Sequence, residues 1–291
     1  MLSELLQFLF SGLTVGAMYA LAAVGFSLIY SASGVINFAQ GEFIMLGGMS
    51  AALLVQAGVP LPLAIALAVL VAAAAGLIVE KLAIEPAGNS EVVTLVIITI
   101  GASLTLRGLA EVFLGKGNHA LPAFSGEDPL VIFGATLMPQ SLWVMGVTLV
   151  VVLALGLFFG RTTLGKGVLA TSCNKLAAQL VGINTRFILL LAFGLSAALG
   201  AVGGILVAPM TYTSYDVGIM MGLKGFVAAA LGGLGSGFGA IVGGLLLGIV
   251  EAMTAGYISS AYKDAMPFVL ILLILFFLPQ GLFGKKATDR V

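Results

Sequence analysis

The sequence predicts an all-α membrane protein that crosses the bilayer about nine times, the pattern admitting eight to ten crossings. Hydrophobic residues make up 60% of the 291-residue chain and charged residues only 8%, with a mean hydropathy of +1.20. Soluble domains carry about 25% charged residues, so this chain lacks the polar surface that water demands. Apolar runs of roughly twenty residues, the length a helix needs to span lipid, follow one another from end to end. Helix breakers stand between them, with Pro60, Pro86, Pro139, Pro209 and Pro279 at or beside the expected helix ends.

The first run, 5–30, is long enough to tilt. The chain begins MLSELLQFLF, with Glu4 and no Lys or Arg before the run; a cleavable signal wants a positive leader, so this run is expected to be a retained helix. The runs 41–57, 60–80, 92–113 and 141–160 follow, then a polar stretch at 161–186. Four more runs complete the set: 187–207, 217–232, 239–258 and 264–280. The run 217–232 is short and rich in glycine. One transmembrane domain over 1–291 is expected, with five helices in 5–160, the loop 161–186, four helices in 187–280 and a tail at 281–291.

Orientation follows from the cations. With the 161–186 loop and the C-terminus on the cytoplasmic side, the inner face collects Lys81, Arg161, Lys166, Lys175, Arg186, Lys285, Lys286 and Arg290, against Lys116 and Lys263 outside. The N-terminus is then outside. Helices one to four and six to nine run in opposite senses, the plan of an inverted-topology repeat. The polar stretches Ser31–Gln40 and Met210–Val217 take equivalent places in the two halves.

Forty glycines exceed ordinary usage about twofold. Ala240, Gly244, Gly248, Ala252 and Gly256 recur every fourth residue, as do Gly12, Gly16 and Ala20. Small residues at this spacing let helices approach closely in lipid, within one bundle or at a subunit interface.

Charge inside lipid is costly, so each buried candidate needs a partner. Lys224 and Glu251 fall at matching depths on neighbouring helices and are expected to pair, as a clamp or as substrate contacts, with Asp216 the rival partner for Lys224. Arg107 and Glu111, four residues apart, are expected to pair and snorkel. Asn37, Gln40 and Glu42 form a polar break between the first two helices. They read either as a well-capped helix start, with Glu42 at the positive end of the dipole, or as a lining of the pathway. Gly12, Gly16 and Tyr19 are the accompanying pathway candidates. His119, Glu127 and Asp128 belong to an outer loop, Cys173 is a small apolar residue, and one His with one Cys gives no metal-site spacing.

Within RTTLGKGVLATSCNKLAAQLVGINTR, Leu169, Cys173, Leu176 and Leu180 fall on one helical face between Gly167 and Gly182. This predicts a short amphipathic helix, which either lies on the membrane surface or docks into a soluble partner.

GVINFAQGEF (Gly34–Phe43), LAAQLVGIN (Leu176–Asn184), LGGLGSGFGAIVGGLLLGIVE (Leu231–Glu251) and LPQGLFG (Leu278–Gly284) resemble segments of the branched-chain amino acid ABC permeases, in order and over nearly the whole chain. Leu169 and Leu278 stand where family members often carry Arg. The resemblance implies the permease subunit of an importer in the bacterial inner membrane, carrying branched-chain or other small amino acids. A second homologous permease, two cytoplasmic ATPases that bind ATP and Mg, and an extracytoplasmic binding protein would be its partners, with no nucleic acid. It turns the amphipathic helix into a coupling helix, with Ala170, Asn174, Leu176, Ala177, Leu180, Gly182 and Ile183 toward an ATPase. No GxxxxGK[ST] phosphate loop occurs, so the chain is expected to be non-catalytic, with no cofactor of its own. The alternative is a stand-alone secondary transporter or channel for a small polar solute. It would usually need midplane carboxylates or histidines for ion coupling, and only Lys224 and Glu251 approach that depth.

Overall fold

A computed structural model describes residues 2–88, 90–126 and 128–284; Glu127 and the tail cations Lys285, Lys286 and Arg290 lie outside the described residues. The helices are α1 (Leu2–Ser33), α2 (Gln40–Gln56), α3 (Leu61–Val79), α4 (Val92–Phe113), α5 (Pro139–Arg161), α6 (Thr163–Cys173), α7 (Lys175–Leu180), α8 (Thr185–Thr211), α9 (Val217–Gly232), α10 (Gly237–Tyr257) and α11 (Met266–Phe277). A π-helical turn, Glu80–Ile84, extends α3, and the strands Leu130–Ile132 and Ala135–Leu137 pair as a small antiparallel hairpin before α5. Among the described residues six helices are long and apolar enough to cross a membrane: α1, α3 with its π turn, α4, α5, α8 and α10. The helices α2, α9 and α11 are shorter, at 17, 16 and 12 residues.

Burial sorts these helices by sequence. α1 is apolar all round and nearly wholly covered by protein, whereas α4 and α5 expose most of their length. A helix without a polar face belongs either in the core or against lipid, and position in the bundle decides which. Small residues choose α1 for the core. A Cβ on Gly16 would lie 2.8 Å from Leu245 Cα, one on Gly12 would lie 2.7 Å from Ile249 Cα, and Gly248 faces the Gly16 backbone in turn. The fourfold spacing of small residues on α1 and α10 is therefore one internal backbone-to-backbone contact.

The bundle departs from a set of full-length crossings at two returns. At 32 residues, α1 is about 48 Å long, beyond the roughly 30 Å apolar core of a bilayer. It ends where Gly34, at φ +73°, accepts the left-handed conformation that stops a helix. The chain then folds back along α1, so that α2 starts beside Gly25, with Gln40 and Gly25 both held to Ser196 of α8. The α8–α9 connection behaves alike. Thr213 packs on Gly48, and five residues later Gly218 packs on Gly41, so α2 and α9 begin against each other inside the bundle. Pro209, expected at the end of the sixth crossing, lies inside α8, which runs on to Thr211.

The ending LPQGLFG has a structural reason. Leu282 N and Phe283 N donate to the carbonyls of Leu231 and Gly232, at 2.9 Å each, the last acceptors of α9, which have no partner within the helix. Gly281, at φ +77°, turns the chain onto Gly233.

Gly248→Ala should destabilise the detergent-solubilised protein by about 1–3 kcal/mol, because its Cβ would collide with α1 backbone. Gly146→Ala on α5 faces open space and should be neutral or stabilising by up to about 1 kcal/mol. Thermal unfolding of the two variants, measured side by side, checks the contrast.

Candidate functional site

The polar break between α1 and α2 carries three side chains that the sequence places together, and each is used differently. Asn37 turns the chain, its Oδ1 accepting from Ala39 N at 3.1 Å, while its Nδ2 has no partner. Gln40 donates from Nε2 to Ser196 O at 3.1 Å, and Ser196 Oγ lies 2.6 Å from Gln40 Oε1. These bonds tie the start of α2 to the middle of α8. Glu42 points the other way, toward α4. All three are at most 1% exposed, so the break is an internal polar layer within the bundle.

Thr99, Ser103 and Arg107 recur every four residues on α4 and face this layer. Phe38 N donates to Thr99 Oγ1 at 3.1 Å, Ser103 Oγ donates to Glu42 Oε1 at 2.8 Å, and the Arg107 guanidinium Nη2 pairs with the same oxygen. Glu42 is thereby level with the middle of α4. The sequence expectation of an Arg107–Glu111 pair is corrected: Glu111 binds Lys116 at 2.7 Å, and Arg107 turns inward to a carboxylate 65 residues away. Sequence spacing finds i,i+4 partners on one helix but has no access to a partner on another.

Glu42, Ser103 and Arg107 line a groove of about 180 Å³ between α2, α4 and α9. Phe26 and Phe38 form its inner wall, Ile100 and Leu104 of α4 one lip, and Ile219 and Leu223 of α9 the other. Gly41, Gly218 and Gly222 bring the first turns of α2 and α9 together beside it, directing two positive helix ends at Glu42. Two polar atoms remain unpartnered there, Glu42 Oε2 and Arg107 Nε. Ser103 and Arg107 are site residues that sequence reading missed; the Thr99–Ser103–Arg107 polar stripe on an otherwise apolar helix was the available signal.

Gly12, Gly16 and Tyr19 do not line this groove. The glycines serve the α1–α10 contact, and Tyr19 Oη donates to Glu251 Oε2 at 2.8 Å. That carboxylate also accepts from Lys224 Nζ at 2.8 Å, and the ammonium reaches Asp264 Oδ1 at 2.6 Å. Asp264, and neither Asp216 nor any other carboxylate among the described residues, is the second partner of Lys224. Asp216 instead accepts from Ser214 at 2.5 Å. The cluster joins α1, α9, α10 and the approach to α11. His119 is engaged through its backbone, bridging Thr213 at the α8–α9 return with bonds of 2.8 and 2.9 Å.

The loop 161–186 corrects a second expectation. In place of one helix from Gly167 to Gly182, the chain breaks at Asn174, whose Oδ1 caps α7 by accepting from Ala177 N at 3.0 Å. Thr162 caps α6 and Asn184 caps α8 in the same way. The break separates Leu169 and Cys173 from Leu176 and Leu180, so the expected single apolar face does not form. An Asn here competes for backbone donors and favours a cap over a helix interior. Leu176, Leu180 and Val181 are exposed, Leu180 by 88%, while Ala178 and Ile183 face the bundle. Of the other candidates here, Ala177 is exposed, Ala170 partly covered, and Gly182, at φ +88°, turns the chain out of α7. Nearby, Lys81 lies 2.5 Å from Glu85 and holds that carboxyl below its ordinary range, so it is ionised at neutral pH.

Comparison with known proteins gives a consistent answer. The sequence model of the family described as branched-chain amino acid transport system / permease component matches residues 8–275. The high-affinity branched-chain amino acid transport system permease protein LivH of Escherichia coli is 35% identical, with 98% of this chain and 97% of LivH covered. The corresponding permease protein BraD of Pseudomonas aeruginosa is also 35% identical, covering 98% of each chain. Among solved structures, PsaBC from Streptococcus pneumoniae in complex with Fab contains a chain of similar fold. Its TM-score is 0.53 at 16% identity, covering 97% of this chain and 98% of that one.

Lys224→Met should leave Glu251 buried with only Tyr19 for company and lower stability by about 3–5 kcal/mol. Adding Glu251→Gln should return a substantial part of that loss. A double-mutant cycle by thermal unfolding checks the coupling, which simple additivity would refute.

Proposed function

This chain belongs to the family of branched-chain amino acid transport permeases, and on that basis we propose how it works within an ABC importer of the inner membrane. It is the membrane subunit for branched-chain or other small amino acids, paired with a second homologous permease. Two cytoplasmic ATPases bind ATP and Mg and do the hydrolysis, and an extracytoplasmic binding protein delivers substrate. Substrate selection rests largely with that binding protein.

The observation that carries this reading is the exposed apolar cluster of Leu176 and Leu180 on α7, a short helix held at both ends, and Val181 just after it. Exposed apolar groups at the end of a membrane bundle, in a loop that also carries Lys166, Lys175 and Arg186, suit a protein partner. The cations also favour the cytoplasmic side for this loop, which puts the N-terminus outside. The α7 helix is joined to α8 through Gln179 Nε2, which donates to Thr185 Oγ1 at 2.8 Å. Further along, α8 holds the start of α2 through Ser196 and Gln40. A displacement of α7 by an ATPase would thus be passed by a rigid helix to the internal break. The two returns, after α1 and after α8, support the inverted-repeat plan, with α2 and α9 as its short members. The α4–α9 flank would face the second permease, so that each subunit supplies half of the route.

The test is co-purification and ATP hydrolysis of the assembled transporter. Ala177→Glu with Leu180→Glu should reduce capture of the ATPase subunits tenfold or more and abolish stimulation of hydrolysis by loaded binding protein, with membrane insertion unchanged. Undiminished ATPase capture by this variant would count against the docking role.

A further inference from the structure

We propose that the groove between α2, α4 and α9 is a transit site for the zwitterionic head of an α-amino acid, with Arg107 taking the carboxylate and Glu42 the ammonium. The proposal rests on the reading of this chain as an amino acid permease and adds the site and its chemistry. A structural ion pair between Arg and a carboxylate commonly closes as a two-bond fork. Here Arg107 Nη2 and Ser103 Oγ crowd onto Glu42 Oε1, while Oε2 and the Arg107 Nε have no partner. Buried polar atoms are rarely left so, and Glu42 is 1% exposed. Both idle atoms belong to side chains that line the same groove. One is an acceptor on an anion and the other a donor on a cation, the pair that an ammonium and a carboxylate attached to one α-carbon would satisfy.

The remaining wall is apolar: Phe26, Phe38, Ile100 and Ile219 offer hydrocarbon surface to a branched side chain. A zwitterion adds no net charge to this low-dielectric site. It replaces one ion pair with two, so its passage avoids the large penalty of an uncompensated charge. The positive ends of α2 and α9 add a field that favours a carboxylate nearby. Amines lacking the carboxylate, and acids lacking the ammonium, would leave one of the two protein charges unanswered.

The experiment uses the complete transporter in proteoliposomes, with its ATPases and binding protein, and a diazirine analogue of leucine as photoreactive probe. During ATP-driven uptake the probe should label groove residues such as Phe38, Ile100 or Ile219, and free leucine should compete. Glu42→Gln with Arg107→Gln, which leaves no orphan charge, should lower leucine uptake tenfold or more and abolish groove labelling. That variant should still co-purify with its ATPases and second permease in parental amounts, which separates a transit role from misfolding. Restoring the cation alone, as Glu42→Gln with Arg107 intact, should not restore uptake. Labelling that maps elsewhere, or uptake by the double variant within twofold of the parent, would overturn the transit site while leaving the permease reading in place. Absence of any amino acid uptake by the parent transporter would overturn both.

Discussion

A bilayer offers no water to an interrupted helix, and most of this structure is arranged to answer the two places where the chain interrupts itself. Where α1 gives way to α2, and α8 to α9, backbone donors and acceptors and several polar side chains are carried into the bundle. Each must find a partner from protein alone. Thr99 of α4 meets Phe38 N, Ser196 of α8 meets Gln40, and His119 meets Thr213. The helices that supply these partners are thereby fixed around the returns. The C-terminal Leu282 and Phe283 perform the same service for the end of α9.

Close approach is the second requirement, and glycine supplies it. A return can bond to its neighbours only if the helices beside it lie nearly backbone to backbone, as Gly41 does with Gly218 and Gly16 with Gly248. In lipid, association gains little from burying apolar surface, so contact at short range has to provide the attraction. The same glycines that lower helix propensity thus tighten the bundle, and α1, whose Gly12 and Gly16 seat against the α10 backbone, lies at its centre.

The charges divide into two kinds under this view. Lys224, Glu251, Asp264 and Tyr19 answer one another and bind four segments into one unit. Glu42 and Arg107 are incompletely answered, beside an open groove, on a flank where α4 is thinly covered. Satisfied buried charge reads as scaffold, and unsatisfied buried charge beside space reads as a place for something else.

Much of this was legible in the sequence. Helix positions, the resemblance to branched-chain amino acid permeases and the polar character of Asn37, Gln40 and Glu42 follow from composition, run length and local motif, because lipid imposes apolar runs on every crossing. What the tertiary structure alone decided was partnership. Arg107 sits four residues from Glu111 in sequence yet bonds Glu42; Gly12, Gly16 and Tyr19 face α10 rather than the groove; and Asn174 ends one helix to cap the next. The reason is physical. Transfer from water depends on what a segment is made of, which one segment declares by itself, whereas the pairing of a buried charge or the seat of a glycine depends on which helix stands opposite.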